Sequence, residues 1–467
     1  MRKTTYLACA ISAGLVGYLA TVYAVDQGDK NLIQHNLSQA NLAKADPLSK
    51  EAFQLFNEKG CQYCHTTDSK MPFYADMPVA KQLMEHDIKK AQRQFNITAL
   101  MQQVQNNQPI SEVELAKLES VLVDHAMPPK QYLLMHWRSD LSKENTETLL
   151  RWVKSERSKY YADPKVSAEF KYDAVQPIST TFAVNEAKVK LGEVLYHDTR
   201  LSGDNTISCA SCHSLDTGGV DNLNTSTGIN GAKGPINAPT VFNSVFNIHQ
   251  FWDGRADDLQ AQAGGPPLNP LEMGAVSWQQ IIGKLDQDTA LKAQFDAIYP
   301  KGITEHSITD AIAEFEKTLV TPNSRFDKFL KGDKTALTAE EQQGYALFKQ
   351  NKCQTCHTGE AMGGLTFEVM GLKDDYFDDR GNVSNVDNGR YNVTKDENDM
   401  HRFKVPTLRN VALTAPYFHD ASAQTLEQAV ADMAQYQVGV KLTQDEVDKI
   451  TAYLKTLTGE YNGKLLQ

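Results

Sequence analysis

The sequence predicts a mainly α chain: three helical domains in tandem behind an N-terminal transmembrane helix. Three observations carry that expectation. One five-residue pattern, C-x-x-C-H, occurs three times, beginning at Cys61, Cys209 and Cys353. The copies stand roughly 150 residues apart, the size of one domain. Around each copy apolar residues recur at i, i+3 and i+4, the period of a helix buried on one side. The chain also opens on a run with no charge from Thr4 through Val25.

That opening run follows Arg2 and Lys3. Its length is about that of a bilayer-spanning helix, and the positive flank would leave the N-terminus in the cytoplasm. A cleavable signal ending at Val22-Tyr23-Ala24 is the competing reading. Length favours an uncleaved anchor, with Cys9 inert inside it. The expectation is a single-pass protein of the inner membrane, anchored by residues 1–25, with its catalytic body in the periplasm. A net charge of −11 repels phosphate backbones and excludes nucleic acid as a partner. The sequence leaves the oligomeric state open, a homodimer included.

Six of the seven cysteines fall in the three patterns: Cys61-Gln-Tyr-Cys64-His65, Cys209-Ala-Ser-Cys212-His213 and Cys353-Gln-Thr-Cys356-His357. C-x-x-C-H is the attachment signature of c-type haem. The two thiols bond the haem edge and the histidine takes one axial position on iron. Chance at this composition predicts on the order of 0.003 copies per chain, so three copies are not accidental. Zinc would need four ligands where each pattern offers three. Three covalent haems c are expected, in three cytochrome c-like domains spanning 26–165, 166–335 and 336–467.

Each domain repeats a short amphipathic helix ahead of its haem: Glu51-Ala-Phe-Gln-Leu-Phe56, Leu191-Gly-Glu-Val-Leu-Tyr196 and Gly344-Tyr-Ala-Leu-Phe348. Thr338 and Glu341 form a capping box that opens the third. In the first domain Ser111 and Glu114 open a helix bearing Leu115, Leu118, Val121 and Leu122 on one face. It ends at Met127-Pro128-Pro129, and a closing helix carries Leu149, Leu150, Trp152 and Val153. Met127, presented in a proline-stiffened turn, is the expected sixth iron ligand. His125, Met77 and His86 compete for that role, and a methionine filling core space is the plain alternative. In the third domain Thr425 and Gln428 make a second box, and Met433 falls on the apolar face with Leu426, Ala429 and Val430. By spacing alone Met433 is core rather than ligand. Thr443 and Glu446 open a last helix burying Val447, Ile450, Leu454 and Leu457.

The middle domain differs. No methionine follows His213 until Met273, and the stretch between is rich in Gly and Pro. An iron with one side open can bind a substrate, whereas one with two strong ligands carries electrons. The same stretch holds Phe251-Trp-Asp-Gly-Arg255, Gln262 and Glu272. A carboxylate beside open iron could take a proton from one peroxide oxygen and return it to the other.

Residues 185–460 resemble the bacterial di-haem cytochrome c peroxidases. The match is carried by Tyr196-His-Asp-Thr-Arg-Leu-Ser202, Gly234-Pro-Ile-Asn-Ala-Pro-Thr240, Phe251-Trp-Asp-Gly-Arg255, Phe403-Lys-Val-Pro-Thr-Leu-Arg-Asn410 and Pro416-Tyr-Phe-His-Asp420. With its extra haem domain and anchor the chain is similar to the tri-haem, membrane-anchored branch, that of the quinol peroxidases. The resemblance implies reduction of hydrogen peroxide to water with electrons from quinol or a periplasmic cytochrome. It makes His213 the proximal ligand of the peroxidatic haem and His357 that of the electron-transfer haem, with Met433 as the latter's distal ligand. It implies Glu272 as acid–base group, Gln262 beside it and Trp252 between the haems. It also implies one calcium ion, held by the Asn237 side chain and the Thr414 and Pro416 carbonyls, consistent with calcium's demand for oxygen donors.

One departure matters. Many family members close the peroxidatic iron with a histidine in a Ser-x-Gly-His loop. Here that loop reads Ser226-Thr227-Gly228-Ile229, so this iron is expected to be open when oxidised. Two rival activities make different demands. A pure electron-transfer cytochrome needs six-coordinate iron throughout. A tryptophan-modifying di-haem oxygenase has tyrosine where this chain has Met433.

Overall fold

The structure, a computed structural model, describes residues 2–36, 42, 44–66, 69–180 and 182–467. The described residues are mainly helical, with two short antiparallel strand pairs. The chain separates into two compact units, Met1–Ala162 and Asp163–Gln467.

The first unit begins with α1 (Arg2–Asn36). Among the described residues no helix is long and apolar enough to cross a membrane. This overturns the expected transmembrane helix and the single-pass inner-membrane placement drawn from it. The physical reason is composition. Only seven residues between Thr4 and Val25 are large aliphatics, the rest being Ala, Gly, Cys, Thr, Ser and Tyr, and the helix continues into Asp26, Asp29 and Lys30. Val22, Val25 and Asp29, on one helical face, are buried. Tyr18 donates to the Leu134 carbonyl, and its ring lies 6.0 Å from Trp137. The helix thus packs against its own unit.

Three further helices build the core of this unit. α2 (Pro47–Glu58) starts at Asp46, whose carboxylate accepts from Leu48 and Ser49 N–H, and Pro47 fills the first turn where no donor is needed. α3 (Glu112–Val123) is capped by Ser111 through Val113 N–H. α4 (Lys143–Tyr160) opens on a Ser142/Asn145 capping box. Leu115, Leu118 and Leu122 of α3 and Leu149, Trp152 and Val153 of α4 are buried as the spacing predicts. Trp152 meets Phe53 and Phe56 edge-on at 5.4 and 5.8 Å, and its indole N–H donates to Ser49 Oγ at 3.0 Å. Truncating such a side chain costs about 3–5 kcal/mol.

The second unit contains both later C-x-x-C-H copies. Its helices include α5 (Glu186–Tyr196), α6 (Leu259–Ala263), α7 (Glu305–Glu316), α8 (Ala339–Gln350), α9 (Leu426–Met433) and α10 (Gln444–Lys455). The boxes at Thr338/Glu341 and Thr443/Glu446 form as expected. The one at Thr425 is half made: Thr425 accepts from Gln428 N–H, while the Gln428 side chain takes Gln424 N–H instead. The core around the third motif joins Tyr345, Phe348 and Tyr453 to Val166, Phe170, Val175, Phe326 and Phe329. Those last five lie in the stretch expected to belong to the middle domain.

The internal echo has a packing basis. α5 crosses α7 at Gly192, where an added Cβ would fall 1.9 Å from the Ala311 carbonyl oxygen. α8 crosses α10 at Gly344, where a Cβ would fall 2.0 Å from the Lys449 oxygen. In α2, which packs on α4, the corresponding small residue is the fully buried Ala52. Each pre-haem helix therefore carries one small residue at the same place in its repeat.

Candidate haem and peroxide sites

Each motif histidine is prepared in the same way. His65 Nδ1–H donates to the Phe95 carbonyl at 3.0 Å, His213 to Gly219 at 3.3 Å and His357 to Met362 at 3.1 Å. A carbonyl only accepts, so Nδ1 carries the proton and the Nε2 lone pair is left for a metal. Burial holds all three imidazoles below their usual range, His357 down to about 4, which keeps them neutral as ligands. The paired cysteines are unbridged thiols. Burial pushes Cys61, Cys209 and Cys353 up to about 12. Two thiols and a tautomer-fixed imidazole, three times over, fit covalent haem.

In the middle stretch a cavity of about 350 Å³ is lined by Phe251, Arg255, Ala261, Pro266, Asn269 and Glu272, among others. Burial raises the Glu272 carboxyl, opposed by the charge of Arg255 and by Asn269, whose Nδ2 donates to Oε1 at 2.7 Å. Burial dominates the upward shifts of the motif thiols Cys209 and Cys212, and the charge of Glu272 adds to both. Arg255 lies over the Phe251 ring at 3.5 Å and pairs with Asp253 at 3.1 Å. Gln262, on α6, is half-buried and follows Ala261, but does not itself line the cavity.

The loop at Ile229 is wedged against the turn that carries Glu272. Ile229 N–H donates to the Glu272 carbonyl at 2.7 Å, and the Ile229 side chain is buried. A Cβ on Gly228 would fall 2.1 Å from the Leu271 oxygen, so only glycine allows this approach.

Trp252 does not line the cavity. Its indole N–H donates to the Asn237 carbonyl at 2.8 Å, and its ring stands 6.4 Å from Phe403 and 6.3 Å from His419. Met433, at the end of α9, is half-buried beside the cluster of Met370, Tyr376, Phe377 and Phe403, which Trp252 also touches. Asn237 is buried, and its Nδ2 donates to the Leu223 carbonyl at 2.9 Å, which turns Oδ1 the other way. Its N–H binds the His419 carbonyl, and Asn222 donates to the carbonyls of Leu413 and Ala415, on either side of Thr414. Asn237 and Asn222 thus each meet backbone carbonyls, the class of oxygen donor calcium takes, those beside Thr414 lying against Asn222. Nearby, Asp387, His419 and Asp420 form the one His/Asp cluster of metal-site size among the described residues. Arg380 already bridges both carboxylates, at 2.9 and 2.5 Å, so this cluster reads as an ion-pair network.

In the first unit Met127 is 40% exposed, which removes the core-filling alternative. His125, Met77 and His86 are exposed too, so burial does not rank the four. Sequence reasoning had not singled out Asn269 as a partner of Glu272. The available signal was their spacing of three within one turn.

Three family models match the chain: di-haem cytochrome c peroxidase over residues 186–335, a haem-binding domain over 17–155 and cytochrome c over 341–458. The cytochrome c peroxidase Ccp of Escherichia coli is 52% identical over 419 residues, 90% of each chain. The cytochrome c551 peroxidase of Nitrosomonas europaea is 47% identical over 62% of this chain and 85% of its own. Among solved structures, a MauG-like protein associated with microbial copper homeostasis superposes with a TM-score of 0.55 at 29% identity, over 64% of this chain and 95% of its own.

Proposed function

The chain belongs to the di-haem cytochrome c peroxidase family and is a c-type haem oxidoreductase acting on peroxide; from that premise we propose how its parts divide the work. Three haems c are bound, through Cys61/Cys64, Cys209/Cys212 and Cys353/Cys356. His65, His213 and His357 are the proximal ligands, with Met127 and Met433 completing the first and third sites. His213 would hold its haem without a second protein ligand, so that the iron there could take peroxide. Haem, when bound, would supply the substrate-binding iron and the redox centres through which the donor's electrons pass.

The residues around that site manage the proton. Glu272, ionised, takes it from one peroxide oxygen and returns it to the leaving oxygen, while Gln262 orients the substrate. Two electrons and two protons convert hydrogen peroxide to two waters. Trp252, packed against Phe403 and His419, would pass electrons between the second and third haems. The first unit receives electrons from a quinol or a c-type cytochrome. Asn237, Thr414 and Pro416 hold one calcium ion that ties these loops together.

The observation that carries this reading is Glu272: a half-buried carboxyl whose pKa burial raises, lining a cavity and hydrogen-bonded to Asn269. Glu272→Gln keeps the shape and removes the base. Peroxide turnover is expected to fall about a hundredfold or more while the haem spectrum stays unchanged. Turnover surviving that change would remove Glu272 from the mechanism. Ile229 in place of histidine supports an iron free of a second histidine when oxidised. A low-spin bis-histidine signal from the second haem would contradict this.

A further inference from the structure

Buried cations in this chain have carboxylate partners, with one exception. Among the described residues four arginine and lysine side chains are buried: Arg157, Arg402, Lys404 and Arg409. Arg157 meets Glu112 and Glu119, at 3.3 and 2.6 Å. Arg409 meets Asp327 at 2.8 Å, and Arg402 lies 3.9 Å from both Glu368 and Asp399. Lys404 is 5% exposed, yet its ammonium meets no carboxylate and no hydrogen-bond acceptor among the described residues. Burial is the one influence on it and lowers it to about 8, so at neutral pH it still carries its charge. A lysine ordinarily escapes that cost by laying its stem along the surface and its ammonium in water. A charge this far from water persists where an opposite charge offsets its desolvation.

The place of Lys404 in the fold points to the source of that charge. β1 (Phe367–Val369) pairs antiparallel with β2 (Arg402–Lys404), and Lys404 stands opposite Phe367. On one side β2 is tied to the middle stretch: Lys404 N–H donates to the Trp252 carbonyl at 2.8 Å, and the Phe403 ring stands 6.4 Å from that of Trp252. Phe403 also belongs to the cluster that Met433 borders. On the other side the chain runs on to the third motif. Val405 accepts from Gly364 N–H, and Leu408 N–H shares the Met362 carbonyl with His357 Nδ1. Lys404 therefore sits where the Trp252 loop joins the segment that holds His357. Cys353 packs on a different core, that of Tyr345, Phe348 and Tyr453. A c-type haem is bonded to the chain along one edge and carries its two ionised propionates on the opposite edge. The cofactor thus brings carboxylate to the side away from the thiols.

We infer that Lys404 is a cofactor-binding residue whose ammonium pairs with a propionate carboxylate of haem bound in the second unit, that of the third motif or of the second. The inference rests on the reading that both motifs bind haem. Lys404 is the cation left over among the buried four, and a propionate is the anion that the chain does not supply there. The pair has a redox consequence. A positive charge beside haem disfavours the ferric form, which carries one charge more than the ferrous form. Lys404 therefore holds the reduction potential of its haem up.

The test uses the full-length, haem-loaded protein and reads no turnover. Optical redox titration should resolve one wave per haem. Met127→His and Met433→His mark the first and third waves, because exchanging methionine for histidine on iron lowers the potential; the remaining wave is the second. Lys404→Met should lower the third or the second wave by about tenfold in reduction constant, about 59 mV, and leave the first in place. The wave that moves identifies the haem. Lys404→Arg keeps the charge and should hold that wave within about twofold of wild type. A crystal structure of the loaded wild type should place Lys404 Nζ within about 4 Å of a propionate oxygen. Unmoved waves in a Lys404→Met protein that keeps its haems, or movement of the first wave alone, would overturn the pairing. A longer Nζ–carboxylate distance would overturn it even where no variant keeps its haem. Waves that ignore both methionine changes would overturn those two ligand assignments, while the distance still decides Lys404. Absence of haem from both later motifs would overturn the reading beneath.

Discussion

Glu272 is held between opposed influences, and each can be removed separately. Burial raises its carboxyl; Arg255 and the Asn269 amide lower it. Asn269→Ala and Arg255→Met each delete one lowering influence, so both should raise the carboxyl further. The acid limb of the kcat/KM profile for peroxide then moves to higher pH in each variant. A limb that stays put would separate Asn269 and Arg255 from the proton step. Glu316 offers a stability counterpart. It is fully buried, and burial alone raises it to about 8 from 4.5. The folded chain therefore holds a proton that the unfolded chain releases. That contribution is complete below pH 4.5 and is lost as pH rises to about 8. Glu316→Gln should show its largest gain in melting temperature, relative to wild type, above pH 8 and its smallest near pH 4. At this scale the three sets of thiols and the histidine beside each were legible as c-type haem motifs because covalent attachment fixes their spacing. Glu272 could be singled out as a carboxyl in the middle stretch, but its proposed acid–base role came with the family resemblance, since an acid in a Gly- and Pro-rich stretch carries no periodic signal. Asn269 was not legible: its role depends on a turn that closes the amide onto a carboxylate three residues on.

Among the helices, the sharpest demand falls at the crossings. Gly344→Ala puts a carbon against the Lys449 carbonyl, which must move. Overpacking of this kind costs about 1–3 kcal/mol. At Gly283, on a helix where a Cβ meets nothing within 4 Å, alanine should instead stabilise by about 0.5–1 kcal/mol. Denaturant midpoints of the two variants should move in opposite directions; a shared direction would show that the crossing relaxes. The pre-haem helices, the closing helices and two of the capping boxes could be read from the sequence, because periodicity and caps are local. α1 shows the limit of such reading. Its length and lack of charge pointed to a membrane, while its many small and hydroxylated residues, and the burial of Val22, Val25 and Asp29 in the unit, pointed elsewhere. Packing partners more than a hundred residues away, Leu134 and Trp137, are invisible to a window along the chain.

For the molecule as a whole, the two compact units predict separable functions. A chain of residues 163–467 has its own cores, and relatives such as the Nitrosomonas europaea peroxidase match only 62% of the full length. That fragment should reduce peroxide with reduced tetramethylphenylenediamine, a one-electron dye, at a rate within a few-fold of the whole chain and should lose turnover with the donor that reduces the first unit. Haem content, by pyridine haemochrome assay, should be three per full chain and two per fragment. A count of two in the full chain would remove the first unit as an electron carrier. The tandem plan could be read from the three motifs. The sharing of segments 166–175 and 326–330 with the core around the third motif could not, because apolar residues do not announce which core they join.

The glycines at the two helix crossings have a further consequence for what the gene can tolerate. Every missense change of a glycine codon, whichever base mutates, installs a side chain that has a Cβ. At codons 192 and 344 that atom would lie 1.9 and 2.0 Å from a backbone oxygen. These codons therefore have no conservative neighbour, and in a saturation library selected for haem incorporation they should be depleted of every alternative. Codon 52, already alanine, marks the one repeat whose helix pair has room for a methyl group.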